Sequence, residues 1–154
     1  MSVILFTCDE ERKETVKRTC LEIALEHYYM TVSPNTRVKY ENEGEEVYKE
    51  RLRKLMNDSL CSFEDTDEGL KFTFDSTEDA GFEIADCVYG TGMGYSDDGL
   101  TFLKTFFDKL IEDLHDVPFE ADCECYDKWV SDEYHCSYDG ENFECDAEWM
   151  DFEE

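Results

Sequence analysis

Residues 119–125 read Phe-Glu-Ala-Asp-Cys-Glu-Cys, and this alternating stretch decides the kind of fold that the chain can adopt. Successive side chains of a β-strand point to opposite faces, so Glu120, Asp122 and Glu124 share one face. The apolar residues and cysteines share the other. Because Asp and Glu are poor strand formers, the apolar side must hold the segment in a sheet. The pattern predicts a half-buried strand that presents a row of carboxylates.

A second stretch, residues 143–149, repeats the alternation and places Glu144, Asp146 and Glu148 on one face. Asp139-Gly140 before it is a turn signal, so residues 119–149 are predicted to form an acidic β-meander. Carboxylates on such strands stand about 6.6–6.8 Å apart along a strand and about 4.8 Å apart between strands. The rim of this surface would gain four further acids, namely Asp132, Glu133, Asp139 and Glu141.

The rest of the chain mixes helical and strand periodicities. Three helices are predicted. The first ends near Tyr29, and the other two cover residues 45–56 and 100–114. Strands are predicted over residues 2–7, 37–40, 60–64, 70–75 and 82–89, with the last one central in the sheet. This order indicates an α+β fold with an antiparallel sheet or sheets and about three helices. We expect a single compact domain over 1–154; the alternative is a near-neutral helical part, 1–58, and an acidic β-rich part, 59–154.

The negative charge is concentrated in one part of the chain. The net charge is −27, yet residues 1–54 hold 11 acidic and 10 basic residues, against 30 and 4 in residues 55–154. Such a density serves solubility, ion binding or a strongly basic partner. Salt adaptation should acidify the whole exterior, and the near-neutral first third opposes it. A plain acidic surface that keeps the protein soluble stays open as an alternative.

Eight cysteines raise a separate question about metal and redox chemistry. Cys123, Cys125, Cys136 and Cys145 lie late in the chain, and with or without His135 they are an alternative zinc set. Their spacing lacks the paired C-x2–4-C or H-x3–5-H hooks of zinc ribbons and fingers. We therefore interpret the thiols as small buried apolar groups and predict no cofactor, while disulfides stay open for an oxidising compartment.

Several functional classes find no support in the sequence. Direct nucleic-acid binding needs a basic surface that the acidic part lacks. Residues 90–94, GTGMG, lack the spacing and the lysine of a phosphate-binding loop. No triad or carboxylate pair can be nominated by spacing, so we expect no enzyme activity. The short apolar start without a basic lead-in is neither a signal peptide nor a membrane span, which predicts a cytoplasmic protein without membrane contact.

Small size, extreme acidity and acidic strands resemble the functional class of inhibitors that imitate DNA, which includes anti-restriction, anti-CRISPR and nuclease-immunity proteins. The resemblance carries no shared sequence signature. It implies a non-enzymatic inhibitor, of the kind a phage or mobile element encodes, that binds a basic nucleic-acid-binding protein such as a nuclease or CRISPR effector. A rigid array of carboxylates can occupy a cleft that otherwise meets phosphates with Lys and Arg. The alternatives are an immunity protein for a basic toxin and a cysteine-rich zinc- or redox-linked module.

Overall fold

The computed structural model describes residues 2–75, 78–91, 99–127 and 130–146, without the side chains of 78, 99–102, 125–127 and 130–132. These residues form five α-helices and six strands. The helices are α1 (Glu10–Thr31), α2 (Pro34–Tyr40), α3 (Glu45–Leu55), α4 (Glu78–Cys87) and α5 (Gly99–Asp113). The strands are β1 (Ser2–Phe6), β2 (Cys61–Thr66), β3 (Gly69–Phe74), β4 (Phe119–Asp127), β5 (Val130–Tyr138) and β6 (Phe143–Cys145). A π-helical turn, Met56–Leu60, joins α3 to β2.

All six strands belong to one antiparallel sheet in the order β2-β3-β1-β4-β5-β6. The first strand of the chain therefore lies inside the sheet, between β3 and β4. Its side chains alternate, so Ile4 and Phe6 are fully buried while Val3 and Leu5 are only half-buried. β4, β5 and β6 follow one another as the meander. The α+β class with an antiparallel sheet and an acidic C-terminal meander is thus confirmed.

Helices pack on one face of the sheet through an aromatic core. Phe106 of α5 lies with its ring centroid 5.0 Å from Phe74 and 6.2 Å from Phe72 of β3. Phe107 of the same helix stacks on Phe119 of β4 at 5.7 Å. These side chains are fully buried or nearly so. Because this packing occupies one face, the opposite face is left as the outer face, where the side chains are exposed or half-buried.

The predicted helices are confirmed as α1, α3 and α5, and the predicted hairpin as β2 and β3. The predicted strand over 37–40 is wrong, because this segment belongs to α2. Ser33 caps that helix: its hydroxyl accepts a hydrogen bond from the N–H of Thr36 at 3.2 Å, and Pro34 fits the first turn. About three helices were expected, and α2 and α4 bring the number among the described residues to five.

The central strand predicted over 82–89 is also wrong, because most of this segment forms α4 and none of it is strand. Ala80, Ile84 and Val88 are buried at a spacing of four residues, which is one face of a helix. A short apolar run has no periodicity that separates a buried strand from a buried helix. The central place in the sheet belongs to β1 and β4 instead.

No helix of the described residues combines the length and the apolar composition that crossing a bilayer requires. The division of the chain into one domain or two parts stays a prediction. The structure does show that β1, from the near-neutral part, is hydrogen-bonded on both sides to strands of the acidic part.

Candidate functional site

Five carboxylates from the last three strands, and a sixth directly after β6, lie on the outer face of the sheet, and we call this surface the acidic face. They share that face because the residues between them, such as Ala121 and Cys136, point into the core. Five of the six are exposed, and Glu124 is half-buried. The acidic face consists of Glu120, Asp122, Glu124, Glu133, Glu144 and Asp146.

The antiparallel register arranges the acidic face in three rows that run across the strands. Asp146 follows β6 directly and joins the middle row, because its N–H donates to the carbonyl of His135 at 3.2 Å. Strand geometry gives the surface a length of about 13 Å along β4 and a width of about 10 Å from β4 to β6. The rows are Glu120–Ser137–Glu144, Asp122–His135–Asp146 and Glu124–Glu133.

His135 lies at the centre of the acidic face and contacts an acid on each side. Its Nδ1 is 3.0 Å from Oδ1 of Asp122, and its backbone N–H donates to Oδ1 of Asp146 at 2.9 Å. The hydrogen bond with Asp122 raises the pKa of His135, and the charges of the neighbouring acids add to the effect. A protonated His135 therefore offsets part of the negative charge of the middle row. Sequence reasoning missed this pairing, because only the β4–β5 register brings the two residues together.

A depression of about 360 Å³ lies on the acidic face around His135. Its lining includes Asp122, Glu124, Glu133 and Asp146. Carboxylate oxygens suit hard cations in principle. Among the residues that the structure describes, however, no group of three or more His, Cys, Asp or Glu side chains is arranged to hold a metal ion.

The remaining predicted site residues are placed differently. Asp139 and Glu141 lie exposed in the turn between β5 and β6. Oδ1 of Asp139 accepts the backbone N–H groups of Glu141 at 2.8 Å and Asn142 at 2.7 Å, which lowers the pKa of Asp139. Its carboxylate is therefore engaged in shaping the turn. The side chain of Asp132 and the whole of Glu148 lie outside the described residues.

Three of the late cysteines lie on the opposite side of the sheet from the acidic face. Cys123 and Cys136 are buried, and Cys145 is half-buried on β6. A hydrogen bond with Cys123, together with burial, raises the pKa of the Cys136 thiol. The fourth residue of the zinc alternative, Cys125, has a side chain outside the described part. Three thiols meet here, and within the described part they are not arranged as a metal site.

The other half of the outer face, on β1, β2 and β3, has a different character. Val3 and Leu5 form a half-buried apolar column beside the acidic face. Beyond them, Lys71 of β3 lies opposite Glu64 of β2, with Nζ and Oε2 3.8 Å apart. The charge of the outer face therefore changes sharply at the β1–β4 boundary. The sequence offered no sign of this boundary, because β1 and β4 are more than a hundred residues apart.

Comparisons of the chain with protein-family models, with curated proteins and with solved structures found no match.

Proposed function

We propose that the protein is a non-enzymatic inhibitor whose acidic face binds the basic cleft of a nucleic-acid-binding protein. The observation that carries the proposal is the common face of Glu120, Asp122, Glu133 and Glu144, fixed by the register of three neighbouring strands. The strand register sets the positions of these residues before binding, so no backbone rearrangement is needed to bring their carboxylates onto one face. The partner is a nuclease or CRISPR effector in the cytoplasm, and nucleic acid itself is not a ligand.

Charge density supports the imitation of nucleic acid. Duplex DNA carries one negative charge per roughly 1.7 Å of axis, so about eight phosphates occupy the 13 Å length of the acidic face. Only those on one side of the duplex can meet a given protein surface. The six carboxylates of the acidic face are of the same order as the number of phosphates on that side. A cleft that evolved for phosphates therefore meets a comparable field on this sheet.

The test uses a panel of purified restriction nucleases and CRISPR effectors with basic DNA-binding clefts. Cleavage of duplex DNA is measured with increasing amounts of the protein, and binding is measured at 50 and 200 mM NaCl with duplex DNA as competitor. The proposal expects inhibition of at least one enzyme, competition with DNA and a steep loss of affinity with salt. Inhibition that added duplex DNA does not relieve, or binding to none of the enzymes in the panel at low salt, would contradict the proposal.

Matched variants separate the geometry from the net charge. The face variant combines Glu120→Gln, Glu133→Gln and Glu144→Gln. The control variant combines Glu22→Gln, Glu46→Gln and Glu68→Gln, which are exposed elsewhere and remove the same charge. At about 1 kcal/mol for each lost charge pair at 4 Å in water, the face variant should bind roughly 100-fold more weakly. Equal losses for both variants would show that only the total charge matters.

A nuclease-immunity role uses the same surface against one basic toxin. The panel distinguishes the two roles when it includes toxin nucleases, since an immunity protein neutralises one member and leaves the restriction and CRISPR enzymes active.

A further inference from the structure

Two thiols face each other across the last two strands, on the core side of the sheet. Cys136 of β5 is the register partner of Cys145 of β6, and their sulfur atoms are 2.7 Å apart. Both are thiols in the structure. A disulfide bond is about 2.05 Å long, so the two sulfurs need to approach by only about 0.7 Å.

The hydrogen-bond pattern shows that this pair occupies the closer kind of cross-strand position. The N–H of Asp139 donates to the carbonyl of Asn142, and the N–H of Asp146 donates to that of His135. Hydrogen-bonded and non-hydrogen-bonded pairs alternate along an antiparallel ladder. The pairs 139–142 and 135–146 are hydrogen-bonded, and Cys136–Cys145 is the next pair after 135–146. It is therefore a non-hydrogen-bonded pair.

Such a pair has the backbone spacing that a disulfide needs. Cα atoms of non-hydrogen-bonded pairs are about 4.5 Å apart, and disulfides span Cα separations of about 4.4–6.8 Å. The strands can thus be joined at this position without moving the backbone. The two thiols also differ in access: Cys136 is fully buried, whereas Cys145 is half-buried on the edge strand of the sheet. A small reagent in solution reaches Cys145 first.

We propose that Cys136 and Cys145 form a reversible disulfide by exchange with a small-molecule disulfide such as oxidised glutathione. The Cys145 thiolate attacks one sulfur of the reagent, forms a mixed disulfide and releases one glutathione thiolate. Cys136 then gives up its proton and attacks the Cys145 sulfur, which expels the second glutathione thiolate. In sum, two protein thiols are oxidised to one disulfide, and one oxidised glutathione is reduced to two thiols, which take up the two protons. This chemistry is independent of the function proposed for the acidic face.

The sequence makes the product easy to map. Trypsin cleaves after Lys109 and Lys128, and no Lys or Arg follows Lys128. Peptide 129–154 therefore contains Cys136 and Cys145 and no other cysteine, while peptide 110–128 contains Cys123 and Cys125. The proposed disulfide is internal to peptide 129–154. A bond from Cys136 to Cys123 would instead join the two peptides.

The experiment equilibrates the reduced full-length protein with excess oxidised glutathione, then denatures and alkylates it before digestion and mass spectrometry. The expected product is peptide 129–154 without alkylation and lighter by two hydrogens, and dithiothreitol should restore both alkylation sites. The Cys145→Ser variant should lose this product, while Cys123→Ser and the exposed-thiol control Cys87→Ser should keep it. Alkylation of both cysteines, arrest as a glutathione adduct of Cys145, or a cross-link to peptide 110–128 would overturn the proposal.

Discussion

Replacing Glu133 by lysine should stabilise the folded protein. Glu133 lies directly opposite Glu124 on the acidic face, and like charges in that position destabilise a strand pair. Opposed side chains have Cβ atoms about 5 Å apart, and two unit charges about 5.5 Å apart repel by about 0.75 kcal/mol in water. A Debye length of about 10 Å at 0.1 M salt reduces this to about 0.4 kcal/mol. Glu133→Gln should recover that amount, and Glu133→Lys about twice as much.

Urea unfolding at 0.1 and 1 M NaCl measures the effect, with Glu68→Lys as the control. Glu68 is exposed in the turn between β2 and β3, so this variant makes the same change in net charge away from the acidic face. Glu133→Lys should raise the free energy of unfolding by about 0.9 kcal/mol at 0.1 M salt, which corresponds to a thermal midpoint about 2–4 °C higher. In 1 M salt, where the Debye length is about 3 Å, most of the gain should vanish. A gain no larger than that of Glu68→Lys, or one that persists at 1 M, would refute the reasoning.

Three further predictions concern the contact of β3 with β1 at Gly69, the aromatic core and His135. Gly69→Ala should lower the free energy of unfolding by more than about 2 kcal/mol, because the φ of Gly69 is +147° and a Cβ would lie 2.1 Å from the Phe6 carbonyl oxygen. Gly44→Ala is the comparison: its φ is +102° but the space around it is open, so the loss should be roughly 1 kcal/mol. Phe106→Ala should cost about 3–5 kcal/mol and lower the thermal midpoint by on the order of 10 °C. The raised pKa of His135 gives stability that is complete below pH 6.5 and lost as the pH rises through that pKa, so His135→Gln should be more destabilising at pH 6 than at pH 9 in paired unfolding curves.

The acidic face could be predicted from the sequence because its signal is local. Alternation along residues 119–125 fixes which side chains share a face, whichever strands lie beside them. The structure confirms that Glu120 and Asp122 are exposed while Phe119 and Ala121 are buried. Alternation likewise leaves Glu144 of β6 exposed between the half-buried Phe143 and Cys145. Whether these residues bind a partner stays a prediction.

The parts that could not be predicted depend on contacts between distant residues. Nothing local in residues 2–6 places β1 between β3 and β4, since this pairing is decided by how the strands fill the core. The meetings of Asp122 with His135 and of Cys136 with Cys145 follow from register, which neither partner's segment encodes alone. The error at α4 has a related cause: Ile84 and Val88 are apolar enough for either a central strand or a buried helix, and tertiary packing decides between them.

The boundary on the outer face argues for a dedicated surface more strongly than the total charge does. One sheet presents both halves to solvent, so solubility or salt adaptation would act on each half alike. On the outer face of β1, β2 and β3, the charges of Glu64 and Lys71 cancel each other. Their neighbours on that face, Ser62, Val3, Leu5 and Thr73, are uncharged. On β4, β5 and β6 and the residue directly after β6, six carboxylates accompany one histidine, and Glu124 lies directly opposite Glu133 at a cost in stability. Because neutral or basic residues are tolerated on the adjacent strands, that cost is not imposed by the fold, and the proposed binding to a basic partner would account for it.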